Sequence, residues 1–137
     1  MKICIGNPVD FPPLSQLAQE LHWERFLRFL EKALAEGDVL VARSGDDMAG
    51  LLIWNRGFFA RPFIWLLGVA PGARNRGLAS ALIRKVEQAC TGEPLFISTN
   101  RSNAPMRALC KKLRFIESGY LENLDPGDPE IFFFKQL

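Results

Sequence analysis

The spacing of apolar residues changes period several times along the chain, and each change marks a structural element. Lys2 to Ile5 reads as a short strand stopped by Asn7-Pro8. Asp10 followed by Pro12-Pro13 reads as a helix start, because proline in a first turn forfeits no helical hydrogen bond. Leu14, Leu17, Ala18 and Leu21, then Trp23, Phe26, Leu27, Leu30 and Leu34, keep helical spacing as far as Glu36-Gly37. This predicts either one long helix or two with a bend near His22. Val39 to Arg43 and Met48 to Trp54 are strand-like runs, joined by the hairpin signal Ser44-Gly45-Asp46-Asp47. Asn55-Arg56-Gly57 predicts a further turn. Phe63 to Val69 is almost wholly apolar, as expected of a strand covered on both faces, and Pro71-Gly72 ends it.

From Arg74 the period becomes helical, with Leu78, Leu82, Val86 and Ala89 on one stripe and Thr91-Gly92 as the stop. Leu95 to Ser98 is a short strand. Ser102 or Asn103 caps a helix whose apolar stripe is Met106, Leu109, Cys110 and Leu113. Lys111, Lys112 and Arg114 fall in or just past its last turn, where cations suit the carbonyl end. Phe115 to Leu121 and Ile131 to Lys135 are final strands around the acidic turn Asp125-Pro126-Gly127-Asp128-Pro129. The order β-α(α)-β-β-β-α-β-α-β-β describes a mixed α+β fold on one sheet. At ~100–200 residues per domain, residues 1–137 are expected to form a single domain.

Composition narrows the chemistry. With 48% hydrophobic and 23% charged residues the chain can bury a core and does not read as disordered. His22 is the single histidine, which argues against multi-histidine metal sites and a Ser-His-Asp triad; no metal is expected. Cys4, Cys90 and Cys110 are widely spaced with no CxxC pair, so they suit a reducing compartment rather than a disulfide framework. The longest uncharged stretch is the twelve residues from Pro62 to Ala73, short of the roughly 17–25 that a membrane helix needs. The start MKICIGNPVD lacks the apolar region of a secretory signal. These features lead to the expectation of a soluble, cytoplasmic chain with no membrane partner.

The segment Leu66 to Ala79 concentrates the candidate chemistry. An apolar strand runs into a short loop and then a helix whose first turn is expected to hold Arg74, Arg76 and Gly77. Helix N-termini present unpaired N–H groups at the positive end of the dipole and so bind phosphates. Gly77 permits close approach of a ligand to the backbone, Ala79 keeps the next position small, and the arginines add charge-assisted bonds. The competing reading is a plain strand-to-helix turn with solvated arginines. Neither a GxxxxGK[ST] loop nor a GxGxxG with a following acidic residue is present.

Val69-x-Pro71-x-x-Arg74-x-Arg76-Gly77-x-Ala79, followed by an amphipathic helix, resembles the acetyl-CoA-binding signature of the GNAT N-acetyltransferase superfamily, whose core is [QR]-x-x-G-x-[GA]. The stretch Asn103 to Phe115 resembles that family's second motif, N-x-x-A-x-x-L-Y-x-x-L-G-F. The resemblance implies an α/β/α sandwich with one mixed, mostly antiparallel sheet, helices on both faces and splayed central strands. It implies that the backbone of Leu67, Gly68 and Val69 pairs with the pantetheine arm of acetyl-CoA. Arg74, Asn75, Arg76, Gly77, Leu78 and Ala79 would cradle the pyrophosphate, and Asn103 would bond the cofactor as well as capping its helix. The family's tyrosine, a proton donor to the departing thiolate, is Cys110 here, and its glycine before the last Phe is Arg114. Cys110 is therefore either a packing residue or a catalytic one. Tyr120, the single tyrosine, is the other candidate acid.

Charge is unevenly distributed. The net +2 comprises −1 over residues 1–73, +6 over 74–112 and −3 over 113–137. The basic block holds both candidate cofactor segments, as suits a polyanionic ligand. Glu117, Glu122, Asp125, Asp128 and Glu130 form an acidic rim that would attract a cationic amine and help deprotonate it, with Glu122 and Glu130 as candidate acceptor ligands. The expected activity is transfer of an acetyl group from acetyl-CoA to a primary amine by direct attack in a ternary complex. Polyamines, amino sugars, and lysine or peptide amines are the acceptor classes considered. A non-catalytic acyl-CoA-binding or protein-interaction module is the alternative. A nucleic-acid partner is disfavoured, because a glycine-containing phosphate loop suits a discrete ligand better than a tracking groove. Oligomeric state, monomer or homodimer, is left open.

Overall fold

The computed structural model describes all residues, Met1 to Leu137. Seven strands form one mixed sheet: β1 (Lys2–Ile5), β2 (Val39–Ser44), β3 (Asp47–Phe58), β4 (Arg61–Val69), β5 (Pro94–Asn100), β6 (Ile116–Leu121) and β7 (Glu130–Gln136). Their spatial order is β1-β2-β3-β4-β5-β7-β6. Four helices complete the fold: α1 (Phe11–Glu20), α2 (Leu27–Glu36), α3 (Leu78–Ala89) and α4 (Ala104–Lys112). Internal contacts group the chain into two compact units, residues 1–54 with 66–86 and residues 55–65 with 87–137. The boundaries fall inside β3, β4 and α3, so no linker separates the units.

The first unit is layered. The β2–β3 register pairs Val39 with Ile53 and Val41 with Leu51, which places those four side chains on one face. Leu14, Leu17 and Ala18 of α1 and Leu30, Ala33 and Leu34 of α2 cluster on them. Leu78 and Leu82 of α3 close on Gly50 from the other face. The helical run before β2 is two helices, with His22 in the left-handed region (φ 59°) at the bend. Asp10 ties this unit together: it is 6% exposed, accepts a 2.6 Å bond from Arg43 Nη2 and accepts the N–H of Asn7 at 3.0 Å. Burial alone would raise its pKa, but the Arg43 hydrogen bond, the Asn7 N–H and the Arg43 charge together hold it below the usual carboxylate value.

In the second unit β5 pairs antiparallel with β7 along its full length, and β7 with the edge strand β6. The parallel pairing of β4 with β5 registers Phe63 with Phe96 and Ile64 with Ile97. Arg56 grips Glu93 through Nε and Nη2 at 3.0 and 2.7 Å. Lys135 bonds Glu87 at 2.8 Å.

Three sequence expectations are corrected. The turn foreseen at Asn55-Arg56-Gly57 lies inside β3. Side-chain partners hold those residues extended: Asn55 Oδ1 accepts both the Gly57 N–H and Trp65 Nε1, and Arg56 is engaged by Glu93. The reversal comes at Phe59 and Ala60, both left-handed (φ 51° and 61°). The helix foreseen from Arg74 begins at Leu78, because Asn75 and Gly77 are left-handed (φ 63° and 73°) and cannot continue a right-handed turn. The strand foreseen from Phe115 begins at Ile116. Arg114 before it is left-handed (φ 71°), and the Phe115 N–H bonds the Cys110 carbonyl to close α4.

Two stability predictions follow from these contacts. Asp10→Ala should cost about 2–3 kcal/mol at neutral pH, through a lost ion pair and a lost cap. Because the folded carboxyl titrates below the unfolded one, this contribution is present above the unfolded pKa and lost as pH falls through the folded pKa. Urea titrations should therefore show the gap to wild type closing only in acid. Phe59→Asn with Ala60→Gly should raise stability by about 1–2 kcal/mol, since both residues tolerate the left-handed turn geometry; an unchanged or lowered urea midpoint would contradict it.

Candidate functional site

In the first unit the expected phosphate segment is one continuous strand, loop and helix start. Ala70 N–H bonds the Ala49 carbonyl at 2.8 Å, holding the chain against β3 until Pro71, which has no N–H to continue the ladder. Pro71–Ala73 form a short 3-10 turn anchored by buried Ala73. Arg74, Asn75, Arg76 and Gly77 are exposed. The Ala81 N–H bonds the Gly77 carbonyl at 3.0 Å, closing the first turn of α3, so the N–H groups of Leu78, Ala79 and Ser80 are the free donors of that helix end. A side chain at Gly77 would meet nothing within 4 Å, so its backbone faces open space. Leu78 is buried, its side chain packed against Gly50.

The arginines differ. Arg74 Nε donates to the Val69 carbonyl at 3.4 Å, folding its guanidinium back along the loop. Arg76 lines a cleft of about 500 Å³ together with Glu20, Asp46 and Asp47. Leu67 and Val69 are half-buried and Gly68 is buried. A Cβ on Gly68 would come within 2.5 Å of Leu21 Cδ1 and 2.6 Å of Trp23 Cη2. Leu21 and Trp23 therefore shape the strand beside the candidate site. Sequence reading placed both on a helix stripe, and no local signal ties them to Gly68.

In the second unit Asn103 caps α4, its Oδ1 accepting the Met106 N–H at 3.2 Å. Cys110 is fully buried, and burial pushes its thiol pKa up to about 11. A protonated thiol without solvent contact is placed for packing. Tyr120 lies on β6, 68% exposed, opposite Ile131. Its strand neighbour Leu121 is the one registered with Glu130, so Tyr120 and Glu130 point to opposite faces of the sheet. The acidic rim also divides. Asp125 accepts from Asn100 Nδ2 at 2.9 Å and Asp128 accepts from Ser102 Oγ at 2.6 Å, bracing the chain between β6 and β7. Glu117, registered with Phe133, lines a cleft under α4. Glu122 is exposed beyond β6. Glu130 accepts from Ser98 Oγ of β5 at 2.8 Å. Ser98 carried no signal in the sequence, since only the β5–β7 register reveals it.

A left-handed loop leading into a helix N-terminus, at the end of a strand set in this sheet order, is what the family comparison bears on. The model of the acetyltransferase (GNAT) family matches residues 9–115. The chain belongs to the GNAT acetyltransferase family. It is accordingly an N-acetyltransferase, and the sheet, helices and loop are those of a GNAT fold. A GNAT-family acetyltransferase from Bacillus cereus superposes with a TM-score of 0.84 at 27% identity, over 98% of this chain and 96% of that one. The ribosomal-protein-S18-alanine N-acetyltransferase of Escherichia coli gives 0.82 at 20% identity, over 98% and 92% of the two chains. NAA60 of Arabidopsis thaliana in complex with acetyl-CoA gives 0.81 at 19% identity, over 99% and 100%. The last two likenesses show the fold alone. No curated protein matches the sequence. No helix of this GNAT chain is long and apolar enough to cross a membrane.

The burial pattern predicts thiol reactivity. In the native protein a thiol reagent should modify half-buried Cys4 first and reach the buried Cys90 and Cys110 only on unfolding. Cys110→Ala should cost about 1 kcal/mol of stability with turnover within about two-fold of wild type. Rapid native labelling of Cys110 would contradict its assignment to packing.

Proposed function

We propose that the chain binds acetyl-CoA through the backbone of Leu67, Gly68 and Val69 and the loop Arg74 to Ala79, and transfers its acetyl group to a cationic primary amine. The observation that carries this reading is the free N-terminus of α3, presented behind left-handed Asn75 and Gly77 with two exposed arginines. Unpaired N–H groups at a positive dipole end suit a pyrophosphate, and the open space beside Gly77 leaves room for it. Acetyl-CoA supplies an activated acyl group as its thioester. A backbone N–H in the Leu67 to Val69 segment would polarise the thioester carbonyl as charge develops on its oxygen. Asn103 has its side-chain oxygen engaged by Met106, which leaves its amide nitrogen to meet the cofactor.

The chemistry makes modest demands on acid catalysis. A thiol with an ordinary pKa near ~8.5 is an adequate leaving group at neutral pH, so solvent can protonate it. This accounts for a buried thiol standing where the family pattern has tyrosine. Tyr120, exposed on the edge strand, is the remaining side-chain candidate for that proton. On the acceptor side Glu130 and Glu122 supply the negative charge that draws in an ammonium group. Three free thiols suit a reducing, cytoplasmic setting.

Calorimetry with acetyl-CoA, run beside a thiol-release assay over a panel of amines, tests the reading. Saturable binding with turnover of at least one cationic amine is expected; binding without turnover on any amine would favour a non-catalytic module. Arg74→Ala and Arg76→Ala should each raise the Kd for acetyl-CoA about ten-fold, the scale of one charge-assisted phosphate contact.

A further inference from the structure

The second unit holds a cleft of about 580 Å³ along one flank of α4, within the ~300–1,000 Å³ typical of small-molecule sites. The helix lines it with Ala104, Arg107, Ala108 and Lys111, the i, i+3, i+4, i+7 spacing of one stripe. A different stripe of α4, that of Cys110 and Leu113, is the one buried in the core. Phe115 and Phe133, each 4% exposed, give the cleft an apolar floor. Glu117 pairs with Phe133 across β6 and β7, so its carboxylate stands on the same face as that ring. Ala104 and Ala108 end at Cβ and leave the cleft open between the longer side chains. None of the lining residues is among the candidate cofactor residues Leu67 to Val69, Arg74 to Ala79 and Asn103.

Arg107 distinguishes this cleft from an ordinary surface groove. Its Nη1 donates to the Arg101 carbonyl at 3.0 Å, which anchors one end of the guanidinium. Its Nε is screened from solvent and has no acceptor in the protein. The Nε–Nη2 edge is the side of a guanidinium that grips a carboxylate through two parallel N–H bonds. A screened donor without an acceptor is costly, and a ligand oxygen that meets it recovers that cost. Lys111, exposed one turn further along α4, adds a second cation. Arg107 and Lys111 against Glu117 leave the lining with one net positive charge. Lys135 lies 5.7 Å over the Phe115 ring but is held by Glu87 at 2.8 Å, so it serves the fold.

We infer that this cleft binds a small organic monocarboxylate, its carboxylate on Arg107 and Lys111 and its apolar body over Phe115 and Phe133. A small turn of the Arg107 side chain brings the Nε–Nη2 edge to the carboxylate, and Lys111 meets the same group from the next turn. A compact apolar body suits the aromatic floor, where a polar one would leave groups without partners. A dianion such as a phosphate monoester brings a second negative charge that Glu117 opposes. A cationic amine would instead face two like charges. The inference is independent of the acetyltransferase reading, because it uses none of the residues assigned there and lies within one unit.

The test is calorimetry on the full chain with 3-phenylpropionate, its neutral amide 3-phenylpropanamide, and phenyl phosphate. Saturable binding of 3-phenylpropionate is expected, with the amide about ten-fold weaker, the scale of one charge-assisted bond. Phenyl phosphate should also bind more weakly than the carboxylate, and Glu117→Gln should narrow that gap. Arg107→Gln and Lys111→Gln should each raise the Kd for 3-phenylpropionate about ten-fold. Ala108→Leu, at an exposed helix position where leucine is well tolerated, should fill the cleft and abolish binding. That variant keeps the inference testable if Arg107→Gln fails to fold. Saturating acetyl-CoA should leave the Kd for 3-phenylpropionate within about two-fold, as expected of uncoupled sites. No saturable binding at millimolar concentration, equal affinity for acid and amide, or a preference for phenyl phosphate would overturn the inference. Wild-type affinity in folded Arg107→Gln or Ala108→Leu would do the same. Displacement of 3-phenylpropionate by acetyl-CoA would overturn it too, by placing the carboxylate in the cofactor site while leaving the acetyltransferase reading intact. If acetyl-CoA does not bind, that reading fails, and the three ligands still decide this one.

Discussion

The first unit is organised by how closely side chains approach the backbone of β3 and β4 at two glycines. A Cβ at Gly50 would stand 3.0 Å from the Gly68 carbonyl and 3.3 Å from Leu78 Cδ2. A Cβ at Gly68 would collide with Leu21 and Trp23 on the other face. The missing side chains let the first turn of α3 settle on one face and the α1–α2 bend settle on the other. The start of α3 sets where the free N–H donors lie, and the loop from Pro71 to Gly77 spans what distance remains. Larger residues at either glycine would lift a helix off the sheet, and overpacking of this kind typically costs about 1–3 kcal/mol. The geometry of the candidate phosphate cradle is therefore a consequence of packing on β3 and β4 as much as of the loop's own residues.

Electrostatics act at a second level, and the structure assigns the charges to different tasks. Asp10 with Arg43, Glu93 with Arg56 and Glu87 with Lys135 are structural pairs that join elements far apart in sequence. Asp125 and Asp128 are spent on bracing the connection between β6 and β7. A block count of −3 near the carboxyl end thus overstates the charge available to an acceptor. The +6 block is similarly heterogeneous: Arg107 donates to the Arg101 carbonyl, while Arg74 and Arg76 remain exposed in the loop.

Much of this protein was legible in its residues alone. Helical spacing around Leu14 and Leu30, the apolar run after Phe63, the Gly45 hairpin and the Asn103 cap each express a local preference, so the element order follows from them. The loop at Arg74 to Ala79 was legible because its glycine and its arginines are adjacent in the chain and need no partner elsewhere to be recognised. Local rules failed where a distant side chain outvoted them. Asn55-Arg56-Gly57 has turn composition, yet Trp65 and Glu93 hold it in a strand. Phe59 and Ala60 have no turn preference, yet they make the turn because the strands on either side fix where it must fall.

The sequence by itself determined the secondary-structure order, the family and the chemical character of the candidate phosphate loop, since these depend on residues a few positions apart. Tertiary structure decided which of several chemically plausible side chains could act. Cys110 stands at a motif position but is buried, so its thiol stays protonated. Tyr120 was a candidate acid and Glu130 a candidate acceptor ligand, and strand alternation sends the two to opposite faces. Ser98 was invisible until the register of β5 with β7 set it beside Glu130. Strand register is fixed by the burial of whole faces rather than by any one residue, which is why no local reading could supply it.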